Sequence, residues 1–169
     1  MATFSNPKDL NDRHAYYELG DKYEKAFVKK MRRKNYDVQI NPDKKTDKTA
    51  IDLVWDGKLV ELKTRRTPFF KASSYNVNPD SAVTINGKDI DAYKDKPDLE
   101  VVFWVKWPAQ ERYGVKVKAV NGVWVTTVKE MQRMIADGAP EHMYQGRIND
   151  NRFNAKFSYI FDLQNMELI

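Results

Sequence analysis

No cysteine occurs in the 169 residues. A disulfide framework, a thiolate zinc site and a cysteine nucleophile are excluded together. Histidine is nearly absent: only His14 and His142 occur, far apart in the chain. A histidine-rich metal site is therefore not expected, and no local pattern points to a Ser-His-Asp triad. Any bound metal would be held by carboxylates, carbonyls and water, a donor set that favours Mg2+ or Mn2+. No apolar run approaches the roughly 20 residues that span a bilayer. The polar start, residues 1–8, lacks the apolar core of a secretion signal. These absences predict a soluble, cytoplasmic protein with no membrane partner.

Hydrophobic residues make up 41% and aromatics 12%, a globular rather than disordered composition. The length suits one domain, and the expectation is a mobile polar leader at 1–12 followed by a single domain over 13–169. The net charge of +5 is compatible with a polyanionic partner.

Tyr16, Gly20, Tyr23, Phe27 and Met31 recur at helical spacing and predict a helix over 14–34, stopped at Asn35. A short strand at 37–40 and a polar loop at 42–48 follow. Residues 51–55 and 58–63 read as strands joined by Asp56-Gly57, a two-residue hairpin signal. Residues 64–79 are irregular, basic and aromatic. A short helix is predicted at 86–94, a buried central strand at 99–107, and a second hairpin around Asn121-Gly122. A helix at 127–136 has Thr126 or Thr127 as N-cap, with Glu130 completing a capping box. A long connection at 137–151 and a strand at 153–162 end the chain. The pattern is mixed α/β, a central sheet covered by helices.

The first hairpin has a definite register. If Asp56-Gly57 is the turn, Trp55 faces Lys58, Val54 faces Leu59, Leu53 faces Val60 and Asp52 faces Glu61. Alternation then puts Asp52, Val54, Leu59, Glu61 and Lys63 on one side. Like charges directly opposed destabilise a sheet, and away from water they require a proton or a cation. Two readings stand side by side: a solvated sheet face with Lys63 as ion partner, or two acids waiting for a divalent cation. Glu24 bears on the choice. It lies beside Gly20, Phe27, Val28 and Met31 on the helical wheel, whereas Lys22, Lys25, Lys29, Arg32 and Arg33 point elsewhere. It is either a rim glutamate in a helical ion pair or a third carboxylate facing the sheet.

A helix glutamate (Gly20-Asp21-Lys22-Tyr23-Glu24), then Ile51-Asp52, then Glu61-Leu62-Lys63-Thr64 on the next strand resembles the PD-(D/E)XK nuclease superfamily. The helix pattern is similar to that of archaeal Holliday-junction resolvases. By motif the resemblance covers roughly residues 15–66, and the order of elements fits it loosely through Trp107. It departs from the family where Ile51 stands in place of the usual proline. A literal Pro42-Asp43 pair lies in a polar loop without register to Glu61, so Asp52 is taken as the first acid.

The resemblance implies a restriction-endonuclease-like core, a mixed central β-sheet flanked by helices, and hydrolysis of DNA phosphodiester bonds. Asp52, Glu61, Glu24 and the Leu62 carbonyl would ligate one or two Mg2+ or Mn2+ ions. Lys63 would orient the attacking water or stabilise transition-state charge. Thr64, Arg65, Arg66 and Lys71 follow the motif and suit phosphate contact, with Phe69, Phe70 and Tyr75 either stacking on nucleotides or packed as core. Arg147, Arg152 and Lys156 form a second candidate surface, with Gln145 a candidate base contact. His142 is read as a surface loop residue and His14 as part of the leader. Trp55, Trp104, Trp107 and Trp124 are read as core or rim packing. A symmetric homodimer is the simplest way to cut both strands. A non-catalytic nucleic-acid-binding protein on the same fold, and an interaction module with a coincidental motif, are the alternatives.

Overall fold

The computed structural model describes Phe4, residues 13–143 and residues 157–169. Apart from Phe4, the predicted leader lies outside the described residues, as do Gln145, Arg147, Arg152 and Lys156. The chain is mixed α/β and divides into two compact units, Met1–Thr64 and Arg65–Ile169.

The first unit opens with α1 (Arg13–Arg33). Its apolar spacing buries Tyr23, Phe27, Val28 and Met31 on one face. The helix ends where the sequence predicts. Asn35 takes a left-handed φ of 67°, the Tyr36 N–H donates to the Met31 carbonyl at 3.1 Å, and the Asn35 N–H donates to that of Arg32 at 3.0 Å. This is the two-bond closure that a left-handed residue makes possible. Arg32 Nε then donates to the Val38 carbonyl at 2.8 Å, tying the helix end to β1 (Val38–Ile40).

β1 pairs antiparallel with β2 (Leu53–Trp55), which pairs with β3 (Lys58–Arg65). The register is Leu53↔Val60, Val54↔Leu59 and Trp55↔Lys58, as predicted. Asp56 and Gly57 both have positive φ, 47° and 77°, the backbone a tight hairpin turn demands. Phe27, Val38, Leu53 and Val60 are fully buried, and Trp55 leans on Phe27 with ring centroids 6.0 Å apart. The predicted polar loop at 42–48 contains a 3₁₀ turn, Pro42–Lys45. Pro42 presets its first φ, and the Asn41 side chain accepts from the Asp43 N–H at 3.1 Å.

The second unit contains β4 (Ala82–Asn86), α2 (Gly87–Ala92), β5 (Glu100–Trp107), β6 (Gln110–Arg112), β7 (Val115–Val117), β8 (Val120–Thr127), α3 (Val128–Ala136), β9 (Glu141–Met143), β10 (Phe157–Asp162) and β11 (Glu167–Leu168). Val101, Val102, Phe103, Trp104 and Val105 of β5 are fully buried, which explains the continuous apolar run. β5 pairs antiparallel with β8 along its whole length, and β8 with β11. β10 lies between β4 and β9. The Thr127 side chain caps α3 by accepting from the Glu130 N–H at 3.1 Å. Glu130 itself pairs with Arg133 Nη2 at 2.6 Å.

Two sequence expectations are corrected here. Asn121-Gly122 is not a turn: it lies inside β8, opposite Lys106 and Val105. The turn falls at Tyr113-Gly114, with φ of 54° and 74°, between β6 and β7. Pairing with the buried β5 outweighs the local turn preference. A Cβ on Gly122 would meet the Trp124 ring at 2.7 Å, so the glycine makes room for that ring. His142 is not a loop residue. It belongs to β9, and its Nδ1 lies 2.7 Å from the Tyr75 hydroxyl.

The two Xaa-Gly pairs should respond oppositely to substitution. Asn121→Thr, on an exposed strand position, should change unfolding free energy by less than about 0.5 kcal/mol. Gly57→Val should cost about 1–3 kcal/mol by forcing a β-branched residue to positive φ. Urea denaturation of both variants measures the contrast.

Candidate active site

Three segments of the first unit converge at one point. α1 carries Glu24, which is only 8% exposed beside the buried apolar Phe27, Val28 and Met31. The 3₁₀ turn carries Lys44, and the bend before β2 carries Asp52. Lys44 Nζ donates to Glu24 Oε1 and, at 2.7 Å, to Asp52 Oδ1. The other Asp52 oxygen, Oδ2, accepts from the Leu62 N–H at 3.0 Å. One ammonium thus bridges two carboxylates from different elements.

The turn holds Lys44 there because Asn41 is pinned at both ends. Asn41 is buried, its Nδ2 donates to the Ile51 carbonyl at 2.8 Å, and its N–H donates to the Asp52 carbonyl at 2.9 Å. Asn-Pro is a turn signal and marks the turn in the sequence. Nothing in that signal says which lysine points inward, and sequence reasoning missed Lys44.

Asp52 departs from its expected position. The ladder ends at Leu53↔Val60, so Asp52 lies in the bend just before β2 and is not paired with Glu61 on a further rung. Each acid has its own cation: Asp52 is compensated by Lys44 and Glu61 by Lys63. Leu62 enters the cluster through its N–H.

On β3, Val60 and Leu62 are buried while Glu61 and Lys63 alternate onto the other face. Lys63 Nζ lies 3.3 Å from Glu61 Oε1, and both side chains are largely buried. Among the described residues, no group of three or more histidines, aspartates or glutamates is gathered closely enough to hold a metal ion. Glu24 and Asp52 are brought together, and Glu61 is paired with Lys63. The donor chemistry nonetheless suits a hard cation: the pair is all-oxygen, and the space between its two members already holds a positive charge.

The electrostatics follow from counting charges. Burial pushes Glu24 up to about 7; the hydrogen bond from Lys44 opposes the shift and the Asp52 charge reinforces it. Burial works to lower the Lys44 pKa, but its bonds to Asp52 and Glu24 outweigh that and hold it above its ordinary value. The two directions agree once the three groups are taken together. One ammonium compensates one carboxylate, so Glu24 takes up a proton as pH falls through about 7.

The predicted phosphate-binding residues fall as follows. Thr64 is half-buried near the end of β3. Arg65 Nε and Nη2 donate to the Thr84 carbonyl at 3.1 and 2.6 Å. The Arg66 guanidinium lies 4.1 Å from the Trp104 ring centroid and donates through Nη1 to the Trp104 carbonyl at 3.3 Å. Lys71 is exposed. Phe70 is core, and Phe69 and Tyr75 pack around Ala72, Ala82 and Ile160. His142 joins them, its ring 5.1 Å from Phe69 and 5.7 Å from Tyr75. His14 lies on the first turn of α1, not in a leader, 3.9 Å from Glu18. Trp104 and Trp107 are buried, as expected.

Beside the Glu24–Lys44–Asp52 cluster opens a cavity of about 660 Å³. Tyr16, Tyr17, Gly20, Lys45 and Lys48 line its outer part. No helix among the described residues is long and apolar enough to cross a membrane. The chain matches no protein-family profile, no curated protein and no solved structure.

Glu24 predicts a pH dependence of stability. Its folded pKa of about 7 lies above the ordinary 4.5, so the folded chain binds more protons than the unfolded chain between those values. Its stabilising contribution is complete below about 4.5 and is lost as pH rises through about 7. Urea titrations without divalent cations should show stability falling across that window, and Glu24→Gln should flatten the fall. Lys44→Met, which leaves the Asp52 charge uncompensated, should cost roughly 1–3 kcal/mol at neutral pH.

Proposed function

We propose that the chain is a metal-dependent nuclease with a restriction-endonuclease-like core, hydrolysing phosphodiester bonds of DNA. The observation that carries this reading is the convergence of Glu24 and Asp52 on one cation position, next to the strand that bears Glu61-Leu62-Lys63. Buried acids that share too little positive charge destabilise a fold, and such arrangements cluster at functional sites.

Lys44 is the resident counter-ion of the acid pair. Its long side chain can swing out, leaving oxygen donors for Mg2+ or Mn2+ from Asp52, Glu24, Glu61 and the Leu62 carbonyl. A divalent cation bound there supplies Lewis-acid stabilisation of the phosphoryl charge and eases deprotonation of water. Glu61 must part from Lys63 to join the ligands. The Lys63 ammonium, beside the bound cation, would hydrogen-bond the attacking water and orient it toward phosphorus. Thr64, next on the same strand, would contact a flanking phosphate. For cleavage of both strands of a duplex, two copies related by a two-fold axis present two such centres.

The test is cleavage of supercoiled plasmid, linear duplex and a four-way junction with Mg2+ or Mn2+. Glu61→Ala should lower the rate by at least about a hundredfold with an unchanged circular dichroism spectrum. Equal behaviour of wild type and variant on every substrate would sink the proposal. DNA binding without any cleavage would instead identify a non-catalytic binder. The counter-ion role of Lys44 has its own readout: Mg2+ should raise the melting temperature of Lys44→Met more than that of wild type.

A further inference from the structure

The outer part of the cavity beside Glu24 and Asp52 has features that the acid cluster does not require. Tyr16 and Tyr17 are 39% and 51% exposed, large rings left in solvent on the first turns of α1. Gly20 sits one turn on, inside the helix, where glycine costs about 1 kcal/mol relative to alanine. Among the described residues, a Cβ built on Gly20 would meet nothing within 4 Å. Open space therefore lies over Gly20, a slot between the tyrosines and Glu24, which lies one further turn along the same face. Lys45 and Lys48, both exposed, line the same cavity. Lys25 lines this cavity and also a second one of about 480 Å³, where Lys29, Arg32 and Arg33 continue a basic track along α1.

From this slot we infer that the site takes an unpaired DNA strand, with one base stacked against Tyr16 or Tyr17 and its neighbouring phosphates held by Lys45, Lys48 and Lys25. The inference rests on the nuclease reading and specifies its substrate. A cavity of about 660 Å³ is of the size that encloses a small molecule, suited to a single nucleotide. Within a duplex, base faces are already stacked on one another and reach a side-chain ring only by extrusion. An unpaired strand offers its bases freely, and stacking on an aromatic contributes irrespective of sequence. The basic track along α1 spans about 12 Å of helix axis from Lys25 to Arg33 and supplies the phosphate contacts on one side of the stacked base.

The experiment uses the full chain in buffer with EDTA, so that binding is read without cleavage. The probes are a fluorescein-labelled oligothymidylate and a blunt duplex of the same length. Wild type should bind the single strand at least about tenfold more tightly than the duplex. The Tyr16→Ala/Tyr17→Ala double variant should lose about tenfold or more in single-strand affinity. Tyr16→Phe/Tyr17→Phe, which keeps the rings, should restore it. Gly20→Leu should fill the slot, weakening single-strand binding while holding or raising the melting temperature. A single strand carrying 2-aminopurine should lose fluorescence on binding wild type and much less with the alanine variant.

Equal affinity for both probes, or indifference to the alanine and Gly20→Leu variants, would overturn the inference. Glu61-dependent cleavage would leave the nuclease reading standing in that case. Ring-dependent single-strand binding without any Glu61-dependent cleavage would uphold the slot and remove the nuclease.

Discussion

One ammonium group sets the geometry of the first unit. Lys44 lies between Glu24 and Asp52, acids supplied by a helix and by a bend ahead of a strand. Without a positive charge there, two poorly hydrated carboxylates would repel each other, and α1 and the bend could not approach so closely. The supports around Lys44 serve that placement. Asn41 clamps the turn to the Ile51 carbonyl, Pro42 presets its first residue, and the Leu62 N–H fixes the far oxygen of Asp52. The apolar contacts of Phe27, Val38, Leu53 and Val60 supply the rigid base from which these polar groups reach out.

The arrangement is a compromise between folding and chemistry. An apolar residue at position 24 would complete the buried stripe of α1 and remove a carboxyl whose burial pushes it up to about 7. Gly20 sacrifices helix propensity in the same stretch, and among the described residues a Cβ there would meet nothing within 4 Å. Local departures from the best structural choice tend to collect where a protein works. Here they lie one helical turn apart and open on the same cavity.

Parts of this were legible in the residue order because they depend on near neighbours. The α1 face and its stop at Asn35 follow from periodicity and from one residue tolerant of left-handed φ. The β2–β3 register follows from Asp56-Gly57, since a two-residue turn leaves a single pairing. The alternation of Glu61 and Lys63 against Val60 and Leu62 follows from the strand period. The same logic failed at Asn121-Gly122, where pairing with a fully buried strand mattered more than a turn preference. It failed again at His142, whose strand and tyrosine partner are 67 residues apart in sequence.

The chain by itself determined which acids were available, their order, and the alternation that separates Glu61 and Lys63 from the core, because helix and strand periods are local properties. Tertiary structure alone decided that Asp52 stays out of the β2–β3 ladder and that Lys44 rather than its neighbours Lys45 or Lys48 reaches the acids. Those choices are made by electrostatic compensation across 8 to 20 residues of sequence separation, and compensation depends on distances in space that no local spacing encodes.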